Sequence, residues 1–355
     1  MINDIQQKAV AAGGAVGSVL KPATWKEKGI RWSIGMATFL VCLLMLILSI
    51  YWSRSPDMFD VSENARQQIT IDEGEQAVPG STTTAALITV ATTLLDKPGG
   101  FLSNDVTPPS VLLDNMPNWE FGVLVQVRDL ARALRNEMSR SQSQSLEDKD
   151  LMVAEPQFSI SNESWMFPSA EGSYRKGIKA LQSYLDRLVD ADATNAQFYT
   201  RADNLRDWLQ IVEKRLGGLS QRLSASVGQL RVNTDLAGDA AATHSTPTPD
   251  DLEIQTPWTK IDDNFFEARG SAWALLHFLK AVEIDFETVL RKKNAVVSLR
   301  QIIRELESTQ DTIWSPLIMN GSGFGLVANH SLVMASYISR ANAAIIDLRN
   351  LLMDG

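Results

Sequence analysis

The sequence predicts a mainly α-helical protein, with one N-terminal transmembrane helix followed by a helical bundle. Three observations support this fold class: an uncharged segment of 21 residues near the N-terminus, long runs in which apolar residues recur every three or four positions, and a scarcity of strand-like alternation. Apolar residues make up 45% of the chain and charged residues 21%, which is typical of a globular protein rather than a disordered one.

The uncharged segment, residues 32–52, predicts a transmembrane signal anchor over residues 32–53. At about 1.5 Å per residue it would form a helix roughly 31 Å long, which matches the ~30 Å hydrocarbon core of a bilayer. Trp32, Tyr51 and Trp52 lie at its ends, where amphipathic aromatic rings favour the membrane interface. The lipid bilayer is therefore the first expected partner.

The residues on either side of this segment predict its orientation. A leader of about 31 residues is longer than the charged region of a cleaved signal peptide, and no small-residue cleavage site follows the segment. The N-terminal side of the segment carries Lys21, Lys26, Lys28 and Arg31, and the C-terminal side begins with Arg54 and continues with Asp57, Asp60 and Glu63. The positive-inside rule then predicts a cytoplasmic tail at residues 1–31 and a main domain in the periplasm, anchored in a bacterial inner membrane.

Charge and composition exclude some ligands of the main domain. Residues 1–54 carry a net charge of +4, from six basic and two acidic residues, whereas the rest carry −13, from 27 basic and 40 acidic residues. Such an acidic domain is a poor match for nucleic acid. Cys42, the one cysteine, lies in the apolar segment, and the three histidines share no metal-ligand spacing. We therefore expect no disulfide framework, no metal site and no other cofactor.

After the anchor, the chain divides into a linker and two helical regions. Residues 54–80 are polar and are interpreted as a linker. Helical periodicity predicts a helical region over residues 81–231, and the hydroxyl-rich residues 81–84 are expected to cap its first helix. Residues 232–258, rich in Ala, Thr, Pro and Asp, predict a flexible linker. A C-terminal helical region at residues 259–355 is expected to pack on the first region.

The most regular apolar pattern lies within residues 205–230, where Val227 and Leu230 are its last members, and its first six members define a seam. Its members follow one another in steps of three or four: Leu205, Leu209, Val212, Leu216, Leu219 and Leu223. Gly217 and Gly218 interrupt it at ~1 kcal/mol each, which favours a bundle helix over a free coiled coil. The seam either packs within the domain or offers a face for self-association or for an envelope protein partner.

Two short segments resemble each other. DNMPNWEFG at residues 114–122 and DNFFEARG at residues 263–270 each begin with Asp-Asn, end in a glycine and lead into an amphipathic helix. Their spacing differs by one residue, and the helices that follow do not align well. Chance therefore explains the similarity better than an internal duplication.

DKPGGFLSND, at residues 96–105, is the densest cluster of polar and turn-forming residues in the chain. Together with Asp114 and Glu120, Asp105 could supply a pair of carboxylates of the kind that many hydrolases use. The spacing of the three acids selects no catalytic geometry, however. A rigid connector explains more residues, because Pro98 and the glycines end one helix and an Asn-Asp turn leads to the next.

The order DKPGGFLSND…TPPSVLLDNMPNWEFGVLVQVRDLARAL, downstream of a single N-terminal anchor and followed by long helices, resembles a known family. This is a proteobacterial domain-of-unknown-function family of single-pass inner-membrane proteins with a helical periplasmic domain. The resemblance covers most of the chain after residue 30 and is most specific at residues 96–135. It implies the inner-membrane location and supplies no catalytic residues.

These observations lead to three hypotheses for the function. The first is a membrane-anchored, non-enzymatic interaction or scaffold protein of a bacterial envelope complex. The second is a periplasmic hydrolase that acts on cell-wall or peptide substrates through the carboxylates of Asp105, Asp114 and Glu120. The third is a helical domain that senses a small ligand bound between its helices.

Overall fold

The computed structural model describes residues 30–69, 78–141, 146–190, 192, 194–232, 251–315 and 317–353. The predicted cytoplasmic tail therefore lies outside the described residues, except for its last two, and so do residues 70–77 of the first linker and 233–250 of the second.

The described residues are mainly helical, as the sequence predicts, and their named strands form one two-stranded antiparallel hairpin. In chain order, the helices are α1 (Ile30–Trp52), α2 (Val61–Ile69), α3 (Ser81–Asp96), α4 (Asn115–Ala133), α5 (Leu151–Phe158), α6 (Ala170–Leu188), α7 (Ala202–Ser224), α8 (Ile261–Asp285), α9 (Glu287–Lys292), α10 (Val296–Glu307) and α11 (His330–Met353). Strands β1 (Gln229–Val232) and β2 (Asp251–Ile254) lie between α7 and α8.

Helix α1 is the apolar segment near the N-terminus, and none of its residues is buried. It is long and apolar enough to cross a bilayer. Helix α2 forms inside the region interpreted above as a linker. Its sequence is mostly polar, so its periodicity is weak, but Val61 and Ala65 are buried and attach it to the core.

The first turn of α3 is capped from another helix rather than by its own hydroxyls. Gly80 is the capping residue, with φ +88°, and no side chain caps the helix locally. The carboxylate of Asp285, at the end of α8, accepts hydrogen bonds from Thr83 N–H at 2.7 Å and from Thr83 Oγ1–H at 2.6 Å. A carboxylate at a helix N-terminus is electrostatically favourable. The cap therefore depends on tertiary packing, which no local pattern reveals.

Helices α4 and α8 approach each other through two reciprocal glycines. A Cβ atom on Gly122 would lie 2.0 Å from the carbonyl oxygen of Glu267, and one on Gly270 would lie 2.0 Å from the carbonyl oxygen of Trp119. These two glycines end the similar segments DNMPNWEFG and DNFFEARG. The close helix crossing thus explains why each of the two segments ends in glycine.

The C-terminal helices pack on the N-terminal ones and share their core. Helix α8 lies against α4, and α11 lies against α7 and α10. All six residues of the seam are buried, in the helix that packs most extensively on α11: Leu205, Leu209, Val212, Leu216, Leu219 and Leu223. Internal packing therefore accounts for the seam. The last two members of the predicted pattern, Val227 and Leu230, lie beyond the end of α7 and are exposed, so the helical pattern is wrong there.

Candidate functional site at the end of the apolar helix

The polar cluster after α3 forms a loop whose backbone conformation at two positions is easily adopted only by glycine. Gly99 and Gly100 have φ values of +89° and +74°, in the left-handed region that disfavours residues with a Cβ atom. The loop brings Lys97 back toward the start of α4, where Glu120 lies. The contact therefore links the ends of two core helices that are separated by residues 97–114 in the chain.

Lys97 and Glu120 form an ion pair at the centre of this loop, and both side chains are fully buried. The Lys97 ammonium also donates to the carbonyl oxygen of Gly100. The Glu120 carboxylate accepts from Leu102 N–H and Ser103 N–H, each at 2.8 Å, and from Ser103 Oγ–H at 2.5 Å. One carboxylate thus satisfies four donors and fixes the loop from residue 97 to residue 103.

This arrangement suits a structural role better than a catalytic one. Burial raises the pKa of the Glu120 carboxyl, whereas the Lys97 ammonium and the hydrogen bonds from Ser103 and Leu102 lower it. Every polar contact of the carboxylate is made with the loop, and its side chain is fully buried, so neither carboxylate oxygen faces solvent or an open cleft. Ser103 donates to a carboxylate that Lys97 already neutralises, so its hydroxyl is not activated as a nucleophile.

The structure places the three predicted acids in different environments. Glu120 is buried, Asp105 is partly buried, and Asp114 is exposed. Asp114 caps α4, because its carboxylate accepts a hydrogen bond from Asn115 N–H at 2.9 Å. The arrangement expected of a catalytic pair, two accessible carboxylates facing one cleft, is therefore not formed by Glu120 with either of the others.

The same loop contacts the end of α1. A Cβ atom on Gly99 would lie 2.7 Å from Cγ of Trp52, so the indole packs directly on the glycine. Trp52 is partly buried against the core, whereas its neighbour Tyr51 is exposed. Trp32, at the opposite end of α1, is partly exposed. Of the three aromatic residues predicted to lie at the membrane interface, Trp52 therefore also packs against the helical domain.

A second contact fixes the segment that follows α1. Phe59 N–H donates to Nε2 of His277 at 3.2 Å, and the two rings stack with their centroids 3.9 Å apart. Nδ1 of His277 lies 2.8 Å from the carbonyl oxygen of Trp273. Because a backbone N–H can only donate, Nε2 must be the acceptor, and the neutral imidazole carries its proton on Nδ1.

His277 is fully buried in α8, and burial lowers its pKa to about 4. The nearby ammonium of Lys280 contributes to this lowering of the pKa, whereas the hydrogen bond to Trp273 opposes it. The sequence gives no reason to pair this histidine with Phe59, which lies 218 positions away. Its lone position in an apolar helix indicates only that it is buried.

We call residues 53–60, with their contacts at both ends, the junction. A cavity of about 550 Å³ lies between the junction and α8. Its lining includes Ser53, Arg54 and Met58 from the junction and Arg269 and Trp273 from α8. Arg269 is committed to structure, since its guanidinium donates to the carbonyl oxygens of residues 309, 310 and 311. Within the described ranges, no group of three or more His, Cys, Asp or Glu side chains could hold a metal ion.

A family model described as an uncharacterized protein conserved in bacteria, DUF2333, matches residues 25–355. No curated protein and no solved structure is significantly similar to the chain. The match begins shortly before α1 and covers the junction and all of the helical domain.

Proposed function

The chain belongs to the DUF2333 family, whose members are described only as uncharacterized bacterial proteins. We propose that it is a membrane-anchored scaffold protein of a bacterial envelope complex. In this proposal α1 crosses the inner membrane with the N-terminus in the cytoplasm, and the helical domain lies in the periplasm. The charge asymmetry across α1 supports this orientation.

The observation that carries the proposal is the junction. Trp52 packs on Gly99 at the end of α1, and Phe59 is held by His277 seven residues later. Both contacts are made to the core of the domain, so the segment between them is not a free tether. A fixed junction holds the domain in one orientation relative to the membrane. This property is useful to a protein that presents a binding surface to a partner at a fixed distance from the membrane.

A surface suited to such a partner lies on two loops that Asn104 joins. Its amide donates to the carbonyl oxygen of Ser164 at 2.9 Å and to the carboxylate of Glu171 at 2.8 Å. The two loops expose apolar side chains that we call the Phe167 patch: Val106 and Leu112 on one, Trp165 and Phe167 on the other. Exposed aromatic groups on a fixed base are typical of the residues that dominate protein interfaces.

Phe167 is the most unusual member of this patch. Its side chain is 92% exposed, and its φ of +49° lies in the left-handed region, which costs an aromatic residue free energy. Strained backbone that displays an apolar ring to solvent favours a binding role over a folding role. We therefore assign the partner contact to the Phe167 patch.

The proposal is tested by photo-crosslinking in intact cells. A photoreactive amino acid replaces Phe167 in one variant and Val297 in another, since Val297 is also an exposed apolar residue but lies on α10. The proposal predicts a reproducible adduct with one envelope protein at position 167 and none at position 297. A Phe167→Ser variant should lose most of that partner on purification while keeping its helical circular dichroism. Equal crosslinking at both positions, or at neither, contradicts the proposal.

A further inference from the structure

A second apolar feature lies on the C-terminal side of α10. Residues 312–339 contain no Asp, Glu, Lys or Arg, and this is the longest such stretch in the chain, longer than the apolar segment of α1. Its last part is the start of α11, whereas residues 312–329 precede that helix. We call the described residues of this part, 312–315 and 317–329, the apolar loop. An uncharged loop of this length on the surface of an acidic domain requires an explanation.

The base of the apolar loop is well fixed. Asn320 and Asn329 form an antiparallel bridge, with Gly321 N–H donating to the carbonyl oxygen of Ala328 at 3.0 Å. Met319 N–H donates to Nδ1 of His330 at 3.0 Å, and the Asn320 amide donates to the carbonyl oxygen of Ser226 at 3.1 Å. The loop is therefore a tight hairpin with a defined tip.

The tip presents apolar side chains to solvent. Phe324 and Leu326 are fully exposed, and Gly323 and Gly325 lie on either side of Phe324. Trp314, at the start of the loop, is 92% exposed. Trp258 is 80% exposed and lines a cavity together with Met319 and Val327 from the loop. The hairpin thus displays an aromatic and aliphatic surface that the described residues do not cover.

The start of the apolar loop lies beside the point where the chain leaves α1. The cavity next to the junction is lined on one side by Ser53 and Arg54, and on the other by residues of the apolar loop, Ser315, Leu317 and Ile318 among them. If α1 crosses a bilayer, Ser53 and Arg54 lie at the level of the lipid head groups. The start of the apolar loop then lies at the same level.

We infer that the apolar loop is a second membrane contact, in which Phe324, Leu326 and Trp314 enter the interface of the same bilayer that α1 crosses. This inference rests on the anchoring of α1 in the proposed function. Continuity with α1 favours lipid over a protein partner as the occupant. The absence of charged side chains favours it too, because the loop can enter the apolar part of the bilayer without burying a charge. Since α1 already tethers the domain, even a weak contact would be populated.

Fluorescence in phospholipid nanodiscs of mixed zwitterionic and anionic lipids tests the inference with the full chain. Cys42 is the one cysteine, so Cys42→Ser gives a background for single-cysteine variants. Leu326→Cys places an environment-sensitive fluorophore at the tip. Val297→Cys places it on an equally apolar exposed site at the start of α10, whose other end leads into the apolar loop. The label at 326 should have blue-shifted emission, with quenching by nitroxide lipids several-fold stronger than at 297 and weaker quenching by iodide.

Two outcomes overturn the inference. Emission at position 326 that matches position 297, with strong iodide quenching, places the tip in water. Protection from both iodide and nitroxide lipids places it against protein. The native chain labelled at Cys42 separates this failure from a failure of the anchor. Lipid quenching at Cys42 without lipid quenching at 326 refutes the loop contact alone, whereas no lipid quenching at Cys42 refutes the anchor itself.

Discussion

At the residue scale, Glu120 is a buried acid whose partners are all parts of one loop. Replacing it by Gln leaves the Lys97 ammonium buried without a counter-charge. We predict that Glu120→Gln lowers the free energy of unfolding by about 3–5 kcal/mol, the usual cost of breaking a buried ion pair. Chemical denaturation in detergent measures this loss.

Asp114→Asn is the matched control, because Asn is as good a helix cap as Asp and the side chain is exposed. Its stability should be close to that of the native chain. A Glu120→Gln variant that keeps full stability but loses cellular function would instead support the hydrolase hypothesis.

His277 gives the stability a pH dependence of known sign. Its pKa is about 4 in the folded chain and about 6.5 in an unfolded chain, so between these values the unfolded chain binds more protons. The contribution of His277 is therefore complete above about pH 6.5 and is lost as the pH falls, by about 3 kcal/mol at pH 4.

Unfolding measured at pH 7 and at pH 4.5 checks this prediction in the native chain and in His277→Gln, whose amide oxygen can still accept from Phe59 N–H. The variant should lose less stability on acidification. An identical loss in both proteins would show that the imidazole does not titrate in this range.

At the element scale, the contact between α1 and the loop after α3 depends on the absence of a side chain at Gly99. Gly99→Ala introduces a Cβ atom against Trp52, whereas Gly100→Ala has the same kind of positive φ but no neighbour closer than 3.9 Å. Both variants should lose about 1–2 kcal/mol from the left-handed backbone. Only Gly99→Ala should speed the hydrogen exchange of residues 53–60. Equal exchange in both would mean that Trp52 does not hold the junction.

The crossing of α4 and α8 gives a second prediction at this scale. Gly122→Ala forces the two backbones apart, and we predict a destabilisation of about 3 kcal/mol. Gly218→Ala, in the interior of α7 with no atom within 4 Å, should instead stabilise the protein by up to about 1 kcal/mol. Thermal unfolding of the two variants checks both signs. A neutral Gly122→Ala would contradict the close approach.

Elements with strong periodicity could be predicted from the sequence, and contacts between distant elements could not. The seam and the uncharged segment of α1 carry their own pattern, so α7 and α1 were predictable. Helix α2 was missed because its buried face consists of two residues in a polar sequence. The Asp285 cap and the His277 contact join residues about 200 positions apart, and nothing in the local sequence indicates either partner.

At the scale of the whole molecule, the structure agrees with the predicted helical fold class but does not bring Glu120 into one accessible site with the other two candidate acids. The sequence drew attention to three acids, but it could not show that Glu120 is sealed by Lys97, because burial is a property of the folded chain. It also left two interpretations of the seam open. We predict that Leu209→Asp unfolds the domain and so cannot report on a partner, because a charge would be buried without compensation. Folded, partner-deficient Leu209→Asp protein would restore the seam as an interaction face.

The central claim is that the helical domain is held on the membrane in one orientation by the junction. Spin labels at native Cys42 in α1 and at Val297→Cys in α10 test it directly, through their distance distribution in nanodiscs. We predict a single narrow distribution, which broadens in Gly99→Ala and remains narrow in Gly100→Ala. A broad distribution in the otherwise native chain would show that the domain moves freely about its anchor, and would contradict the account.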